Sequence, residues 1–180
     1  NSDVLKFDIE KIIIKNSIIF GNLPYNISSQ ILVKFLKFKK WPPRFSDLIF
    51  MFQKELGKKI IGAYPSSDYG RISILSNFRL NVLNKFYVSP NCFFPKPKVT
   101  SMIIHFQPKK KELFAIKNIN NLEKITNILF SNKRKMINKN IKKILTDDKI
   151  KDIQDLKINL RPSDIDPEVY YKITELYEKK

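Results

Sequence analysis

The spacing of apolar and polar residues predicts alternating strands and helices in the first part of the chain. A continuous apolar run at 17–20, closed by Gly21, is typical of a buried strand and favours a parallel one. A second apolar run at 47–52 predicts another strand, and residues 28–38 and 54–63 carry the pattern of helices. Strands and helices in alternation predict an α/β domain with a largely parallel sheet.

Two further strands are predicted on either side of a proline-rich link. Residues 78–88 and 99–106 alternate between apolar and polar positions, and the link at 90–97 separates them. Residues 69–77 fit more than one pattern, of which a helix is favoured.

The chain changes character after the last predicted strand. Apolar residues at helical spacing predict one helix around 122–129 and a second around 136–145, and Asp166-Pro167 predicts the start of a last helix. We therefore expect two domains, an α/β domain at 1–107 and a small all-helical domain at 108–180.

The charge of the chain points to a polyanionic partner. The 180 residues carry 34 Lys and Arg against 17 Asp and Glu, a formal net charge of +17. A surplus of this size favours nucleic acid first and an anionic membrane surface second. A coding bias towards Ile, Lys and Asn is the alternative explanation.

The remaining composition excludes several classes of protein. One Cys and one His exclude an internal disulfide framework and leave no plausible zinc cluster, so no metal is predicted. No apolar run approaches the roughly 18 residues of a membrane helix. Acidic residues near the start do not fit a secretory signal. We therefore expect a cytoplasmic protein without a membrane partner.

One motif offers a specific chemistry. Asn22-Leu23-Pro24-Tyr25 lies where a predicted strand ends and a loop begins, the usual place for a site in an open α/β sheet. An adenine N6 amino group is a poor nucleophile because its lone pair is conjugated into the ring. The Asn22 side-chain oxygen, together with the backbone carbonyl of Leu23 or Pro24, can accept its two hydrogens and free that lone pair. Tyr25 offers a flat face on which an unstacked base can lie. An ordinary strand-to-turn boundary is the alternative for these four residues.

The motifs in their order resemble a known family, the ribosomal RNA adenine dimethyltransferases that act on the small-subunit RNA. The resemblance covers nearly the whole chain and rests on FGNLPYNIS at 20–28, QKE at 53–55, YGRIS at 69–73, FFPKPKVTS at 93–101 and FSNKRK at 130–135. It implies S-adenosylmethionine as methyl donor and dimethylation of two adjacent adenosines in a 3′-terminal hairpin. The implied fold is the C-terminal part of a Rossmann-like class I methyltransferase sheet followed by a small helical domain that binds ribosomal RNA.

The resemblance also assigns roles to individual residues. Asp3 corresponds to the acidic residue that contacts the donor's adenine, and Asn22 would lie between donor and target base. Tyr25 and Phe93 would stack on the two faces of that base, with Leu23 and Pro24 completing the catalytic set. The implied partner is the small-subunit RNA in its precursor particle, bound by a monomer.

Basic residues supply the predicted RNA contacts. Between Lys109 and Lys151, 13 Lys and Arg stand against four acidic residues, a local excess of +9. Phosphate contacts are favoured over a merely solvated helix face. The candidate RNA-binding residues are Arg71, Lys96, Lys98, Lys133, Arg134, Lys135, Lys139 and Lys142, those from 133 onwards within a predicted helix.

The chain departs from the family pattern in one respect. Family members carry a basic segment, a glycine-rich donor loop and a ribose-binding acidic residue before the equivalent of Asp3. The four glycines here form no G-x-G-x-x-G. We therefore expect a truncated chain that is inactive alone, with an apolar strand edge at 18–20 that is prone to association.

Two alternatives belong to other functional classes. The related large-subunit RNA adenine methyltransferases of the antibiotic-resistance type usually have Ile at the position of Leu23, which weighs against them. A non-catalytic nucleic-acid-binding relative would not need the acceptor pair at Asn22, so the intact motif weighs against that class.

Overall fold

The computed structural model describes residues 2–111, 113–154 and 156–179. The contacts divide the chain into two compact units. The first consists of Asn1–Ile61 and Ser76–Lys111, and the second of Gly62–Leu75 and Glu112–Lys180. Residues 62–75 thus group with the C-terminal helices, a long-range association that local sequence patterns do not contain.

The first unit is built around a four-stranded sheet. Its elements in chain order are α1 (Ile9–Ile12), β1 (Ser17–Asn22), α2 (Ser28–Leu36), β2 (Phe45–Gln53), α3 (Lys54–Ile60), the end of α4 (Arg71–Arg79), β3 (Leu80–Val88) and β4 (Ser101–Pro108). The strand order is β1-β2-β4-β3. The predicted parallel pairing of β1 with β2 is confirmed.

The expectation of a largely parallel sheet is wrong. Strand β4 runs antiparallel to both β2 and β3, so the sheet is mixed. The proline-rich link returns the chain at the edge where β3 ends, and β3 and β4 therefore form a long-looped hairpin rather than two parallel strands.

One face of the sheet carries the core of this unit. Leu48, Phe50 and Phe52 of β2 are buried on it, and Met102, Ile104 and Phe106 of β4 lie opposite them. Helix α2 covers this face: the ring of Phe35 lies 5.4 Å from the ring of Phe50. Helix α3 approaches so closely that a Cβ on Gly57 would lie 2.6 Å from the Met102 sulfur. A larger residue at position 57 would therefore have to displace the Met102 side chain.

Strand β1 lies at the edge of the sheet, as expected for 18–20, but its exposed side chains correct the expectation of a buried strand. Ile18 is 54% exposed and Phe20 is 72% exposed, while Ile19 between them is half-buried. In the described part of the chain β1 pairs only with β2, so one side of the strand has no covering strand. An edge with exposed apolar side chains is a template for association.

We expect Phe20→Lys to reduce self-association of the 180-residue chain. A lysine on an edge strand disfavours pairing with a second edge. Light scattering over a concentration series measures the effect, with Phe94→Lys as control because Phe94 is fully exposed in a loop rather than on a strand edge. Equal effects of the two substitutions would rule out the edge as the cause.

The second unit is helical in its C-terminal part. It contains α5 (Ile119–Phe130), α6 (Asn138–Ile141), α7 (Asp147–Lys151) and α8 (Pro167–Glu178), besides the start of α4. Buried tyrosine hydroxyls join residues 62–75 to this part: Tyr69 donates to the Ile165 carbonyl (2.9 Å) and Tyr171 to the Ile74 carbonyl (3.0 Å). Burial raises the pKa of both phenols above its ordinary value, so both donate at physiological pH.

The predicted helix over 136–145 is mostly absent. Only α6 is helical there, and residues 131–135 form turns. The Ile137 amide, which would be one of the first four amides of the predicted helix and so lack a partner within it, donates to the Leu160 carbonyl at 3.0 Å. The chain leaves the helical conformation after Ile141.

Candidate active site

The strand register gathers several chain segments at one edge of the sheet. Asn22 lies opposite Met51 near the end of β2, and Gln53 at the end of β2 lies opposite Ser101. Val88 at the end of β3 also lies opposite Ser101. The carboxyl ends of β1, β2 and β3 thus meet the amino end of β4, and we call this the site edge, defined by Asn22, Gln53, Val88 and Ser101.

The Asn22-Leu23-Pro24-Tyr25 motif leaves the sheet at the site edge. Asn22, the last residue of β1, is exposed, and so is Pro24; Leu23 and Tyr25 are half-buried. The Pro24 carbonyl accepts the Ile27 amide at 3.1 Å, which begins the turn into α2. The motif is therefore at the surface, where a base can reach it.

The Tyr25 ring is anchored through its hydroxyl. The hydroxyl lies 2.6 Å from Ser101 Oγ, at the start of β4 and 76 residues along the chain. Ser28 Oγ donates to the Tyr25 carbonyl at 3.1 Å, which holds the backbone as well. A ring fixed at both ends is a preorganised surface for stacking.

Gly21 allows the motif to leave the sheet where it does. A Cβ at this position would lie 2.7 Å from Leu23 Cδ2 and 2.9 Å from Phe50 Cδ1. The ring of Phe50 belongs to the buried core. Glycine is required because of this close approach.

The second predicted aromatic lies in the link that joins β3 to β4. Phe93 follows a short 3-10 turn at Pro90–Cys92, donates its amide to the Pro90 carbonyl (3.2 Å) and is half-buried. Lys96 and Lys98 follow it and are exposed. The link both begins and ends at the site edge, since Val88 and Ser101 are opposite each other. The strand pairing thus brings the two predicted aromatic segments to the same edge of the sheet.

A pair at the site edge was not predicted from the sequence. Lys54 Nζ lies 5.2 Å from the centre of the Tyr87 ring, and the ring remains 56% exposed. The Lys54 amide donates to the Thr100 carbonyl at 2.9 Å, which fixes the end of the link. Lys54 belongs to the QKE motif at 53–55, which was recognised in the sequence. Its partner Tyr87 on β3 is 33 residues away (87 − 54), so no local pattern predicts the contact.

The predicted donor contact, Asp3, lies in a turn near the start of the chain. It is exposed, and its Oδ1 accepts the Leu5 amide at 2.9 Å. The Lys34 ammonium of α2 donates to the carbonyls of Val4 (2.9 Å), Leu5 (2.8 Å) and Phe7. One oxygen of the Asp3 carboxylate therefore stabilises the turn, and Lys34 fixes the turn against α2.

The predicted RNA-binding residues of the second unit do not share one helix. Lys133, Arg134 and Lys135 are exposed in turns after α5, and Lys139 is exposed in α6. Lys142 lies 3.1 Å from an Asp147 carboxylate oxygen, which offsets part of its charge. Their placement in turns follows from the shortened helix, while Arg71 is exposed as the first residue of α4.

The described residues offer neither a metal-binding cluster nor a membrane-spanning helix. No group of three or more His, Cys, Asp or Glu suited to a metal ion occurs among them. No helix in the described ranges combines the length and apolar character needed to cross a bilayer.

The family described as ribosomal RNA adenine dimethylase matches residues 1–179. The chain belongs to that family. The resemblance inferred from the motifs is therefore confirmed.

This dimethylase-family chain is similar to proteins named ribosomal RNA small subunit methyltransferase A. The one from Pelagibacter ubique is 40% identical over 99% of this chain and 68% of its own length. The one from Rhizobium etli strain CIAT 652 is 39% identical over 78% of this chain and 50% of its own length. The chain thus spans between half and about two thirds of the length of these relatives.

Solved structures place the fold. A dimethyladenosine transferase from Plasmodium falciparum has a TM-score of 0.75 at 22% identity, covering 99% of this chain and 71% of its own. The 23S rRNA methyltransferase ErmE has a TM-score of 0.66 at 18% identity, covering 99% and 70%. The expected α/β, Rossmann-like methyltransferase fold is confirmed for this family member.

Proposed function

We propose that this protein takes part in transferring methyl groups from S-adenosylmethionine to the N6 amino groups of two adjacent adenosines in the 3′-terminal hairpin of small-subunit ribosomal RNA. The observation that carries the proposal is the Asn22-Leu23-Pro24-Tyr25 turn at the site edge, in which Asn22 and Pro24 are exposed. Relatives named small subunit methyltransferase A support the choice of RNA.

The first role of the turn is to activate the amine. The side-chain oxygen of Asn22 accepts one N6 hydrogen, and a backbone carbonyl accepts the other. We favour the Leu23 carbonyl, because the Pro24 carbonyl already accepts the Ile27 amide at 3.1 Å. When both N6 hydrogens are held in hydrogen bonds to these acceptors, the nitrogen is drawn towards a tetrahedral geometry and its lone pair becomes available. No strong base is required, since the methylated amine releases its proton readily.

The second role is to hold the base outside its stack. Tyr25 supports one face with a ring anchored by Ser101, 2.6 Å from its hydroxyl. Phe93 covers the other face from the link that returns to the same edge. Stacking on an aromatic side chain contributes about 1–3 kcal/mol per base, which offsets a large part of the cost of unstacking, a few kcal/mol.

The donor fits the described residues only in part. S-adenosylmethionine supplies an electrophilic methyl group when bound. Asn22 stands next to the reacting amine, and Asp3 is the proposed contact to the donor's adenine, although its Oδ1 also accepts the Leu5 amide. The 180 residues contain four glycines and no G-x-G-x-x-G that would cradle the rest of the donor.

We therefore expect the polypeptide of these 180 residues to bind S-adenosylmethionine weakly and not to turn over on its own. A target-base site without the glycine-rich loop lacks most of the donor's polar partners. Isothermal titration calorimetry checks this. Binding at micromolar concentration would contradict the prediction.

The basic side chains position the RNA. The segment 133–139 exposes four of the basic candidates, Lys133, Arg134, Lys135 and Lys139. The other candidates are Arg71, Lys96, Lys98 and Lys142. Contacts to phosphates fix orientation without reading sequence, and their affinity falls steeply with salt. Action as a monomer on the precursor small-subunit particle in the cytoplasm is part of the same proposal.

A chimaera tests the proposal. The segment that precedes the equivalent of Asp3 in the Pelagibacter ubique relative is joined to this chain, and tritiated methyl transfer is measured on small-subunit particles and on large-subunit RNA. We expect transfer to the small-subunit particles and its loss in Asn22→Ala. Transfer to large-subunit RNA alone would favour the resistance-type enzymes, and RNA binding without transfer would favour a non-catalytic protein.

A further inference from the structure

A hollow lies in the first unit, away from the site edge. Its volume is about 430 Å³, and its charged lining consists of Asp8, Glu10, Lys11, Lys39, Lys40 and Arg44. Four positive groups against two carboxylates give the lining a net charge of +2 (4 − 2). A positively charged hollow concentrates anions.

Both carboxylates of the lining already have partners. Asp8 pairs with Lys11 at 3.1 Å. The two Glu10 oxygens accept the backbone amides of Lys39 and Lys40, each at 3.0 Å. The surplus charge therefore resides on the side chains of Lys39, Lys40 and Arg44, all of which are exposed.

The loop that carries these side chains is held from behind. The guanidinium of Arg79, which is buried, donates to the carbonyls of Leu36 and Phe38 and lies 4.5 Å from the centre of the Trp41 ring. The Trp41 indole donates to the Lys109 carbonyl at 3.0 Å. Together with the Glu10 bonds, these contacts restrict the loop, so little conformational entropy is lost when a ligand binds.

The hollow lies at the sheet edge opposite the site edge. Arg44 precedes β2 directly, its carbonyl accepts the Asn16 amide at 2.7 Å, and Phe45 lies opposite Ser17 at the start of β1. Strand β2 runs from Phe45 to Gln53, which is eight residue steps, so the two edges are about 26 Å apart at roughly 3.3 Å per residue. A single ligand that contacts both edges must be long and negatively charged.

We propose that the hollow binds backbone phosphates of the RNA at a distance of about 26 Å from the base at the site edge. The identity of the RNA rests on the proposed function, but the hollow itself does not. Three basic residues of the segment 37–44, Lys39, Lys40 and Arg44, line the hollow, and the segment contains no acidic residue. Three neighbouring positive charges suit consecutive phosphates rather than one small anion. Such contacts would orient the RNA stem while the loop is presented to Asn22 and Tyr25.

Fluorescence anisotropy with two RNAs tests the proposal. Both carry the target loop, one on a short stem and one on a stem longer than the separation of the two edges. The test variant is Lys39→Gln with Lys40→Gln and Arg44→Gln, which keeps the backbone amides that Glu10 accepts. The control variant is Lys59→Gln with Lys85→Gln and Lys157→Gln, three exposed lysines elsewhere, so that both variants lose three charges. Circular dichroism verifies that both remain folded.

We expect the test variant to bind the long-stem RNA about tenfold more weakly, with the slope of log affinity against log salt reduced by about 2–3. The control variant should lose less than about threefold, and the short-stem RNA should not distinguish the variants. Equal losses for the two variants, or for the two RNAs, would overturn the proposal. If the test variant loses affinity for polyglutamate but keeps its affinity for the long-stem RNA, an acidic protein is the ligand and the proposal is wrong.

The same titrations separate this proposal from the proposed function. Replacing the target adenosines by guanosines removes the amine that Asn22 would recognise and tests the site edge. Extending the stem tests the hollow. Each proposal can therefore fail while the other stands.

Discussion

Tyr25→Ala is expected to weaken binding of the target-loop RNA by about tenfold to a hundredfold. The substitution removes the ring on which the unstacked base lies, a contact worth about 1–3 kcal/mol. The measurement uses the 180-residue chain and a hairpin with 2-aminopurine at the target position, whose fluorescence reports the stacking of that base. Binding of the same RNA with the target base deleted should be unaffected by the substitution.

Tyr25→Phe is the matched control. It keeps the ring and removes only the hydroxyl that lies 2.6 Å from Ser101 Oγ, so the expected loss is about 0.5–1.5 kcal/mol or less. Ser101→Ala removes the same hydrogen bond from the other side and should match Tyr25→Phe. If Tyr25→Phe were as damaging as Tyr25→Ala, the hydroxyl rather than the ring would carry the function, and the stacking role would be wrong.

Local patterns located the elements better than they predicted the pairing of strands. The strand at 17–20 and its parallel partner could be predicted because short apolar runs alternate with segments whose apolar residues have helical spacing. The exposure of this strand could not be predicted, because burial of Ile18 and Phe20 depends on what packs against their face of the sheet. The antiparallel direction of β4 could not be predicted either. A link of twelve residues (89–100) joins β3 to β4, and the alternation of strands and helices does not indicate in which direction the chain re-enters the sheet.

The candidate site shows the same division between local and distant information. The position of Asn22 at a strand end followed from the motif, since an apolar run stops there. Ser101, which anchors Tyr25, is 76 residues away, and no local pattern connects the two. Distance along the chain hides such contacts, even where both residues lie in motifs that were recognised.

Charged residues were the least predictable. The basic run at 37–44 stood beside Trp41-Pro42-Pro43, which indicated only the end of a helix. The structure shows that Arg79 is buried beneath this run and satisfies the carbonyls of Leu36 and Phe38. A composition-based view assigns arginine to the surface, so a buried arginine that holds a loop is missed.

Gly21→Ala is expected to disturb the candidate site more than any other single added methyl group in the first unit. The new Cβ would lie 2.7 Å from Leu23 Cδ2 and 2.9 Å from Phe50 Cδ1, both closer than real Cβ atoms approach. Phe50 is 1% exposed and packs against the rings of Phe35 and Phe52 at 5.4 and 6.3 Å, so it cannot move away. The Leu23 side chain must therefore move, and Leu23 also carries the carbonyl that is the favoured acceptor for the target amine.

We expect this overpacking to lower the free energy of unfolding by about 1–3 kcal/mol. We also expect it to weaken binding of a hairpin with adenosine at the target position by at least about tenfold, since a shift of about 1 Å at such a site has effects of that order. Urea denaturation measures the first effect, and fluorescence anisotropy with the end-labelled adenosine hairpin measures the second. Gly70→Ala is the control, because a Cβ at Gly70 meets nothing within 4 Å and no glycine has a positive φ in the described residues. It should leave stability unchanged or raise it by about 0.4–1 kcal/mol. If Gly21→Ala lowered stability but left hairpin binding intact, the Leu23 carbonyl would not be the second acceptor, and the arrangement proposed for the amine would have to be replaced.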